Sequence, residues 1–171
     1  MKLRHVILPA IVGAMLLVAA TAASIAQGTS VSLGVQDHDS STPVEITSRE
    51  LELDQENGTA IFTGDVIVRQ GAITMTTQRM VVEYSENPET GKSEIKMIRM
   101  FGGVTFVSEE EAAESERAVY NLSSSILEMF ENVLVTQGPT ALSADKLTYN
   151  LETGDGRMDG NVKTVLQQGG N

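Results

Sequence analysis

Four copies of one sequence pattern follow one another from Val44 onward, and this repeat limits the possible folds more than any other feature of the chain. Each copy opens with a charged residue and a short apolar segment, and a valine marks its closing segment. The aligned valines are Val66, Val104, Val133 and Val162. They lie 38, 29 and 29 residues apart, and the additional residues of the second copy fall in a turn-rich stretch at 85–92. Such self-similarity indicates one supersecondary unit stacked four times.

Apolar residues recur at every second position inside each copy. Ala60, Phe62, Val66 and Val68 share one parity in the first copy, and the opposite parity is mostly polar. This period is typical of strands that bury one face. Asn57-Gly58 lies between two such segments and is a strong signal for a hairpin turn. We therefore predict an all-β fold of stacked antiparallel hairpins with one enclosed face.

A second repeated spacing predicts that each opening strand bends. In every copy an apolar residue precedes the opening segment by five positions, and these residues are Ile46, Met75, Ala113 and Leu142. Because five is odd, a regular strand would place the two positions on opposite faces, and a bulge or corner restores a common face. The sheet is therefore expected to fold over on itself.

Glycine marks a matching bend in the closing strands, at Gly64, Gly102 and Gly160. The third copy has Glu131 at this position, so we expect a milder bend there. The segment 108–117 is rich in Glu and Ala and allows a helical turn as an alternative, although its periodicity favours a strand corner.

The amino terminus has the features of a secretory signal peptide. Lys2, Arg4 and His5 precede an apolar run, and Ser24-Ile25-Ala26 fits a small-x-small cleavage site. Cleavage after Ala22 is a second option, and an uncleaved anchor is the alternative, since residues 6–25 could span a bilayer. We predict a signal peptide at 1–26, a flexible leader at 27–42, a repeat domain at 43–166 and a tail at 167–171. The chain is expected outside the cytoplasm, in the periplasm of a Gram-negative source.

Composition excludes several classes of function. The absence of cysteine excludes disulfides, thiol catalysis and thiolate metal sites. Only His38 would remain after processing, which disfavours a histidine metal cluster or a catalytic triad. The processed chain would carry 10 basic and 23 acidic side chains, a net charge of −13, which argues against nucleic acid as a partner. The acidic run at Glu109, Glu110 and Glu111 is expected to be a solvated corner rather than a cation or acid–base site.

Three segments carry a resemblance to a known family: Gly64–Gly71 (GDVIVRQG), Asn132–Gly138 (NVLVTQG) and Leu142–Tyr149 (LSADKLTY). With the four copies over residues 44–166, they resemble the OstA-like family. The resemblance implies a folded-over, V-shaped β-jelly-roll with an apolar interior groove and no enzyme activity or cofactor. It also implies binding of lipopolysaccharide through its lipid A acyl chains, and end-to-end self-association into a bridge between inner and outer membranes. The implied partners are an LptC-like inner-membrane subunit and an LptD-like outer-membrane translocon.

The enclosed face supplies the candidate lipid-binding residues. They are Leu51, Leu53, Phe62, Val66, Val68, Met80, Val82, Met100, Val104, Phe106, Tyr120, Met129, Val133, Val135, Tyr149, Met158 and Val162. Methionine suits irregular acyl chains because its side chain is flexible and polarisable. The alternative is that these residues only form a core, in a purely structural periplasmic repeat protein. A membrane-anchored LptC-like subunit is the alternative within the family.

Charge and strand edges lead to two further expectations. Because lipopolysaccharide is anionic, an acidic protein is expected to enclose its tails and leave its head group in solvent. Arg79, Arg117 and Lys146 could contact the head group at a rim, or form exposed cross-strand ion pairs. Residues 44–54 and 158–166 are the predicted edge strands, where head-to-tail pairing with further copies would occur unless leader and tail cap them.

Overall fold

The computed structural model describes residues 29–32, 41–108 and 111–166. The predicted signal peptide at 1–26 and tail at 167–171 lie outside the described residues, as does most of the predicted leader. Eleven strands and one 3₁₀ turn make up the described part. They are β1 (Thr29–Ser32), β2 (Glu45–Thr47), β3 (Glu50–Asp54), β4 (Thr59–Gln70), β5 (Ile73–Glu86), β6 (Ser93–Ser108), β7 (Glu111–Asn121), the 3₁₀ turn (Leu122–Ser124), β8 (Ile126–Gln137), β9 (Thr140–Asn150), β10 (Asp155–Asp159) and β11 (Lys163–Leu166).

All strands belong to one antiparallel sheet. Its order is β1-β10-β9-β8-β7-β6-β5-β4-β2, with β3 also paired to β4 and β11 also paired to β9. Neighbours along the path from β4 to β10 are consecutive in sequence, as expected for stacked hairpins. The predicted all-β fold is confirmed, and residues 111–117 form part of β7 rather than a helical turn. Among the residues described, no helix has the length and apolar character needed to cross a membrane.

Short polar turns connect the strands. In the turn between β3 and β4, one carboxylate oxygen of Asp54 accepts hydrogen bonds from the backbone N–H groups of Glu56 (3.1 Å) and Asn57 (3.0 Å). Gly58 then adopts a left-handed φ of 61°. The hydrogen bond from the Asn57 side chain lowers the pKa of Asp54. The extra residues of the second copy form a lengthened loop only in part: the loop between β5 and β6 covers residues 87–92, and the other extra residues lengthen β5 and β6 themselves.

A crease crosses the whole sheet and folds it over. At the crease, two residues in each of β4, β6 and β8 and one residue in each of β5, β7 and β9 have no partner in the strand register. The skipped pairs of the closing segments all have positive φ, and they are Gly64-Asp65, Gly102-Gly103, Glu131-Asn132 and Gly160-Asn161. The opening strands therefore bend between the two apolar positions that lie five residues apart in each copy, as the sequence predicts.

The expectation of a milder bend in the third copy is wrong. Glu131 has a φ of 67° and Asn132 a φ of 53°, and the register shifts between Phe130 and Val133 as it does in the other copies. Asparagine tolerates the left-handed region, whereas glutamate adopts it at a cost of about 1 kcal/mol. Pairing of the neighbouring strands through the same crease imposes this conformation on Glu131 despite its side chain.

The crease divides the sheet into two leaves that face each other. The first leaf contains β3, β10 and residues 59–63, 79–86, 93–101, 117–121, 126–130 and 146–150; the second contains β2, β11 and residues 66–70, 73–77, 104–108, 111–115, 133–137 and 140–144. Phe106 of the second leaf meets Tyr149 of the first edge to face, with ring centroids 6.4 Å apart. The hydrophobic core lies between the leaves.

Residues 29–32 differ from the flexible leader predicted there. They form β1, which pairs antiparallel with the outer edge of β10, from Thr29 opposite Met158 to Ser32 opposite Asp155. The backbone N–H and C=O groups of β10 provide a template that any extended segment can pair with, whatever its side chains. This is why a polar sequence without periodicity still forms a strand at this place.

Candidate functional site: the interior between the two leaves

Four methionines share one transverse row on the inner face of the first leaf. Cross-strand pairing aligns Leu51, Phe62, Met80, Met100, Ala118, Met129, Leu147 and Met158 from one end of the sheet to the other. All four methionines are fully buried. Each copy contributes two residues to this row, one from its opening strand and one from its closing strand, so the repeat in sequence forms a continuous apolar surface in space.

A second row of the first leaf and two rows of the second leaf complete the lining. The second row of the first leaf contains Leu53, Ala60, Val82, Ile98, Tyr120, Leu127 and Tyr149. In the second leaf, one row contains Ile46, Val68, Met75, Phe106, Ala113, Val135 and Leu142, and the other contains Val66, Val104 and Val133. Apart from its alanines, this lining consists of branched, aromatic and methionine side chains, with Thr77 and Ser115 in the row of Val66 and with Gln70, Ser108 and Glu111 buried near the strand ends. It offers no ordered set of charges to a ligand.

The structure brings most of the predicted groove residues together. Thirteen of them are buried between the leaves, while Phe62 and Val162 are partly buried against the same core. Leu51 and Leu53 have the predicted inward parity, but they are 54% and 65% exposed because β3 is an edge strand. The inner face is therefore open at the β3 end of the sheet.

Several buried residues of the interior are absent from the candidate lipid-binding set. They are Ile73, Met75, Ile98, Leu127, Leu142, Leu147 and Leu151. Ile98 and Leu127 share the period-two parity of the candidate residues, so the spacing already predicts that both face the interior. Leu151 lies in the turn after β9, where parity gives no signal.

Buried polar groups of the interior are satisfied locally at the crease. The hydroxyl of Thr77 donates to the carbonyl oxygen of Phe101 (2.8 Å), and that of Ser115 donates to the carbonyl of Arg117 (3.0 Å). Both residues take an inward position where the strand register shifts and the sheet hydrogen bonds are interrupted. A hydroxyl fits there because a buried carbonyl without a donor is costly.

Opposite the crease, side chains of both leaves meet at the ends of the strands. Gln70, at the end of β4, is 4% exposed. Its amide nitrogen donates to the carbonyl oxygen of Thr42 (2.9 Å), and its amide oxygen accepts from the hydroxyl of Tyr120 (3.3 Å). Burial raises the pKa of Tyr120 to about 12. We call this side of the molecule the mouth, defined by residues 41–44, Gln70, Glu94, Ile95 and residues 120–123.

A cavity of about 460 Å³ lies at the mouth. It is lined by Ser41, Thr42, Val44, Glu94, Ile95, Leu122 and Ser123. Three of these residues, Val44, Ile95 and Leu122, also pack against the buried core. The floor of the cavity is therefore continuous with the apolar interior, and its rim is polar.

The outer side of the crease carries a row of alternating cations and aromatic rings. Pairing aligns Arg79, Phe101, Arg117, Phe130 and Lys146 across five strands. The cation of Arg79 lies 5.8 Å from the Phe101 centroid, and those of Arg117 and Lys146 lie 4.2 Å and 5.1 Å from the Phe130 centroid. Phe101 and Phe130 are apolar residues at outward-facing positions, where polar residues are the rule, and each ring contacts a cation there.

This placement corrects the suggestion that Arg79, Arg117 and Lys146 lie at a rim of the groove. All three are on the outer face, opposite the mouth. Arg117 also pairs with Glu131 (2.8 Å) and Lys146 with Glu128 (2.6 Å), so the alternative of exposed cross-strand ion pairs describes these two residues.

The acidic segment does not form a metal site in the part that is described. Glu109 and Glu110 lie outside the described residues. The predicted solvated corner is wrong for Glu111, which is buried beside Gln137 and accepts a hydrogen bond from its side-chain amide. Within residues 41–108 and 111–166, no group of three or more His, Asp or Glu side chains is arranged to hold a metal ion.

Comparisons with known proteins agree with this architecture. Residues 45–155 match the family model described as LptA/(LptD N-terminal domain) LPS transport protein. An uncharacterized protein of Rhizobium meliloti is 28% identical over 141 residues, covering 80% of this chain and 76% of its own length. The lipopolysaccharide export system protein LptA of Haemophilus influenzae is 24% identical over 132 residues, covering 74% and 75%.

A solved structure shares the fold. The crystal structure of LptH, the LptA-homologous periplasmic component of the lipopolysaccharide transport device of Pseudomonas aeruginosa, matches with a TM-score of 0.67 and 16% identity. The match covers 77% of this chain and 99% of that one, and it shows the β-jelly-roll fold. Proteins of the matched family are transport proteins and not enzymes. Because the family model spans well over half of the sequence, the chain belongs to the LptA/(LptD N-terminal domain) family of lipopolysaccharide transport proteins.

Proposed function

We propose that this protein works in the periplasm, where it binds lipopolysaccharide and encloses the lipid A acyl chains between its two leaves. The observation that carries the proposal is the largely apolar inner face, with a transverse row that contains four methionines. Flexible thioether side chains adapt to acyl chains of irregular packing. Each buried methylene contributes about 0.8 kcal/mol, so a few chains supply enough binding free energy.

The charge of the protein supports enclosure of the tails rather than the head group. The chain carries a formal net charge of −11 including the predicted signal peptide, and lipopolysaccharide phosphates are also negative. The cations of Arg117 and Lys146 face away from the interior and are paired with glutamates. We therefore expect the sugars and phosphates to stay in solvent at the mouth.

Acyl chains would enter by separating the leaves. The core between them is packed by its own side chains, as the contact between Phe106 and Tyr149 illustrates. Lipid would replace such contacts with similar apolar contacts, so the net gain is smaller than the gross burial. A site of this kind binds reversibly, which suits a protein that must pass its cargo onward.

The ends of the sheet support a head-to-tail bridge between the two membranes. β2 and β3 both pair with β4 on one side only, so they form an edge that another strand can join. The exposed side chains of Leu51 and Leu53 would extend the apolar lining across such a joint. Further copies, an LptC-like subunit and an LptD-like translocon are the proposed partners at the two ends.

The other end of the sheet matches this edge only when β1 is displaced. Without β1, the first leaf ends at β10 and the second at β11, both paired to β9, just as β3 and β2 are both paired to β4. With β1 in place the first leaf is one strand longer than the second. We therefore propose that joining replaces β1 with β3 of the next copy.

Photo-crosslinking tests the proposed lipid site. Benzoylphenylalanine is placed at Phe62, which faces the interior, or at Phe101, which has the same side chain on the outer face. We expect crosslinks to lipopolysaccharide from position 62 and few from position 101. Equal crosslinking from both positions, or no lipopolysaccharide in the purified protein by mass spectrometry, would contradict the proposal and favour a purely structural repeat protein.

Processing of the amino terminus separates a soluble carrier from an anchored subunit. Mass determination of the protein recovered from the periplasm is expected to show a chain beginning at Ala23 or Gln27. A chain that retains residues 1–26 in the membrane fraction would favour the LptC-like alternative instead.

A further inference from the structure

The glutamine of the Val-x-Gln-Gly segment has a position that lipid enclosure alone does not explain. Gln70 ends β4 in the second leaf, follows the inward-facing Val66 and Val68, and is buried. A buried primary amide is costly unless its groups are hydrogen-bonded. Its nitrogen and oxygen meet Thr42 and Tyr120 at 2.9 Å and 3.3 Å.

These hydrogen bonds connect the two leaves at the side opposite the crease. Tyr120 belongs to the first leaf and lies 50 residues from Gln70 in sequence, whereas Thr42 precedes the edge strand β2. The crease holds the leaves together covalently on one side. On the other side, Gln70 of the second leaf is hydrogen-bonded both to Tyr120 of the first leaf and to Thr42, which lies just before the edge strand β2.

The cavity at the mouth begins beside this bridge, because Thr42 both lines the cavity and accepts the Gln70 hydrogen bond. Its apolar floor of Val44, Ile95 and Leu122 leads to the core. Glu94 and the hydroxyl-bearing residues give it a polar rim. A volume of about 460 Å³ accommodates part of a hydrocarbon chain.

Building on the proposed function, we infer that this cavity is where acyl chains first enter, and that Gln70 is a latch that must release Tyr120 before the leaves separate. A neutral hydrogen bond suits this role because water can replace it once the mouth opens. Its net contribution is only about 1 kcal/mol, so the latch delays opening without preventing it.

Stopped-flow binding of dansyl-aminoundecanoic acid, a fluorescent acyl probe, tests the latch in the processed protein. Tyr120→Phe removes the hydroxyl and keeps the ring in the core. We expect the association rate to rise about fivefold, the factor that corresponds to one net hydrogen bond. An unchanged rate would overturn the inference.

A second buried hydroxyl provides the matched control. Thr77→Val removes the hydrogen bond to Phe101 at the crease, on the opposite side of the same interior. If loss of any buried hydrogen bond loosened the sheet, both variants would accelerate the probe equally, and the latch would be refuted. We expect Thr77→Val to leave the association rate within about twofold of the wild-type value.

Blocking the cavity gives an independent measurement. The sequence contains no cysteine, so a single introduced thiol can be labelled uniquely. A naphthyl maleimide on Ser123→Cys, at the cavity rim, is expected to slow probe association at least tenfold. The same label on Thr136→Cys, exposed on the outer face of β8, should have little effect. Equal effects at both positions would place the path of the acyl chain elsewhere.

The two proposals fail in different ways. If the wild-type protein does not bind the probe, or if added lipopolysaccharide does not displace the bound probe, the proposed function is wrong and so is the latch that rests on it. If the wild-type protein binds reversibly but Tyr120→Phe and the labelled Ser123→Cys behave like wild type, only the latch and the access site are wrong.

Discussion

The guanidinium of Arg117 lies 4.2 Å from the centroid of the Phe130 ring, on the outer side of the crease and one strand away. The ammonium of Lys146 contacts the same ring from the next strand, 5.1 Å from its centroid. Phe130 is thus held between cations of both neighbouring strands, directly beside the left-handed pair Glu131-Asn132. The residues that interrupt the apolar alternation therefore stabilise the line along which the sheet folds.

Phe130→Ala should destabilise the protein by about 2–3 kcal/mol. It removes a half-buried ring and two cation–π contacts, each worth about 0.5–1 kcal/mol at a partly exposed site. Urea unfolding measures the change. Leu134→Ala, on the outer face of the same strand and 39% exposed, is the control and should cost less than about 1 kcal/mol. Equal losses would show that the ring contributes only its apolar area.

Gly160→Ala should destabilise more than Gly103→Ala, although both glycines have similar positive φ values of 75° and 82°. A Cβ at position 160 would lie 2.9 Å from Cβ of Asp145, whereas nothing lies within 4 Å of a Cβ at position 103. Both variants carry the left-handed strain of about 1 kcal/mol, and only Gly160→Ala adds a clash. Thermal unfolding of the two variants is the measurement, and equal melting temperatures would contradict the clash.

Glu131→Gly should stabilise the protein by about 0.5–1 kcal/mol. Glycine removes the cost of a left-handed glutamate, while the lost ion pair with Arg117 is exposed and contributes little. Asn132→Gly is the control and should change the free energy of unfolding less, because asparagine tolerates the left-handed region. If Glu131→Gly is destabilising in urea, the ion pair matters more than the backbone strain.

Stability at alkaline pH should depend on Tyr120. Burial raises its pKa from 10.0 to about 12, so the folded protein favours the neutral phenol. The contribution of this group is complete below pH 10 and is lost as the pH rises from 10 to about 12, because the unfolded chain ionises first. Over that range the wild-type melting temperature should fall more steeply than that of Tyr120→Phe, by about 2–4 °C. Parallel curves by circular dichroism would show that burial does not perturb the phenol.

Deletion of residues 27–32 should strengthen self-association. It removes β1 from the edge of β10, and a competing intramolecular strand worth one net hydrogen bond weakens association about fivefold. Sedimentation velocity over a concentration series measures the change. Adding Leu51→Glu and Leu53→Glu at the exposed β3 edge should return the deleted protein to monomer. An unchanged association constant after the deletion would show that β1 does not cover the joint.

The interior was predictable from the sequence only in part. Period-two parity correctly placed thirteen of the candidate residues between the leaves, because alternation along a strand is a local property. Parity carries no information about distance from the sheet edge, and so it did not distinguish exposed Leu51 from buried Met80. It also gave no reason for Phe101 and Phe130 to face outward.

By itself, the sequence determined the repeated hairpins, the enclosed apolar parity and the bends of the opening strands, because each follows from spacing within one copy. Only the tertiary structure decided the left-handed conformation of Glu131, the pairing of β1 with β10 and the contact between Gln70 and Tyr120. These features depend on how four bent hairpins align along one crease and bring distant strand ends together. The interactions that determine these features are formed between different copies, so the residue pattern within a single copy does not predict them.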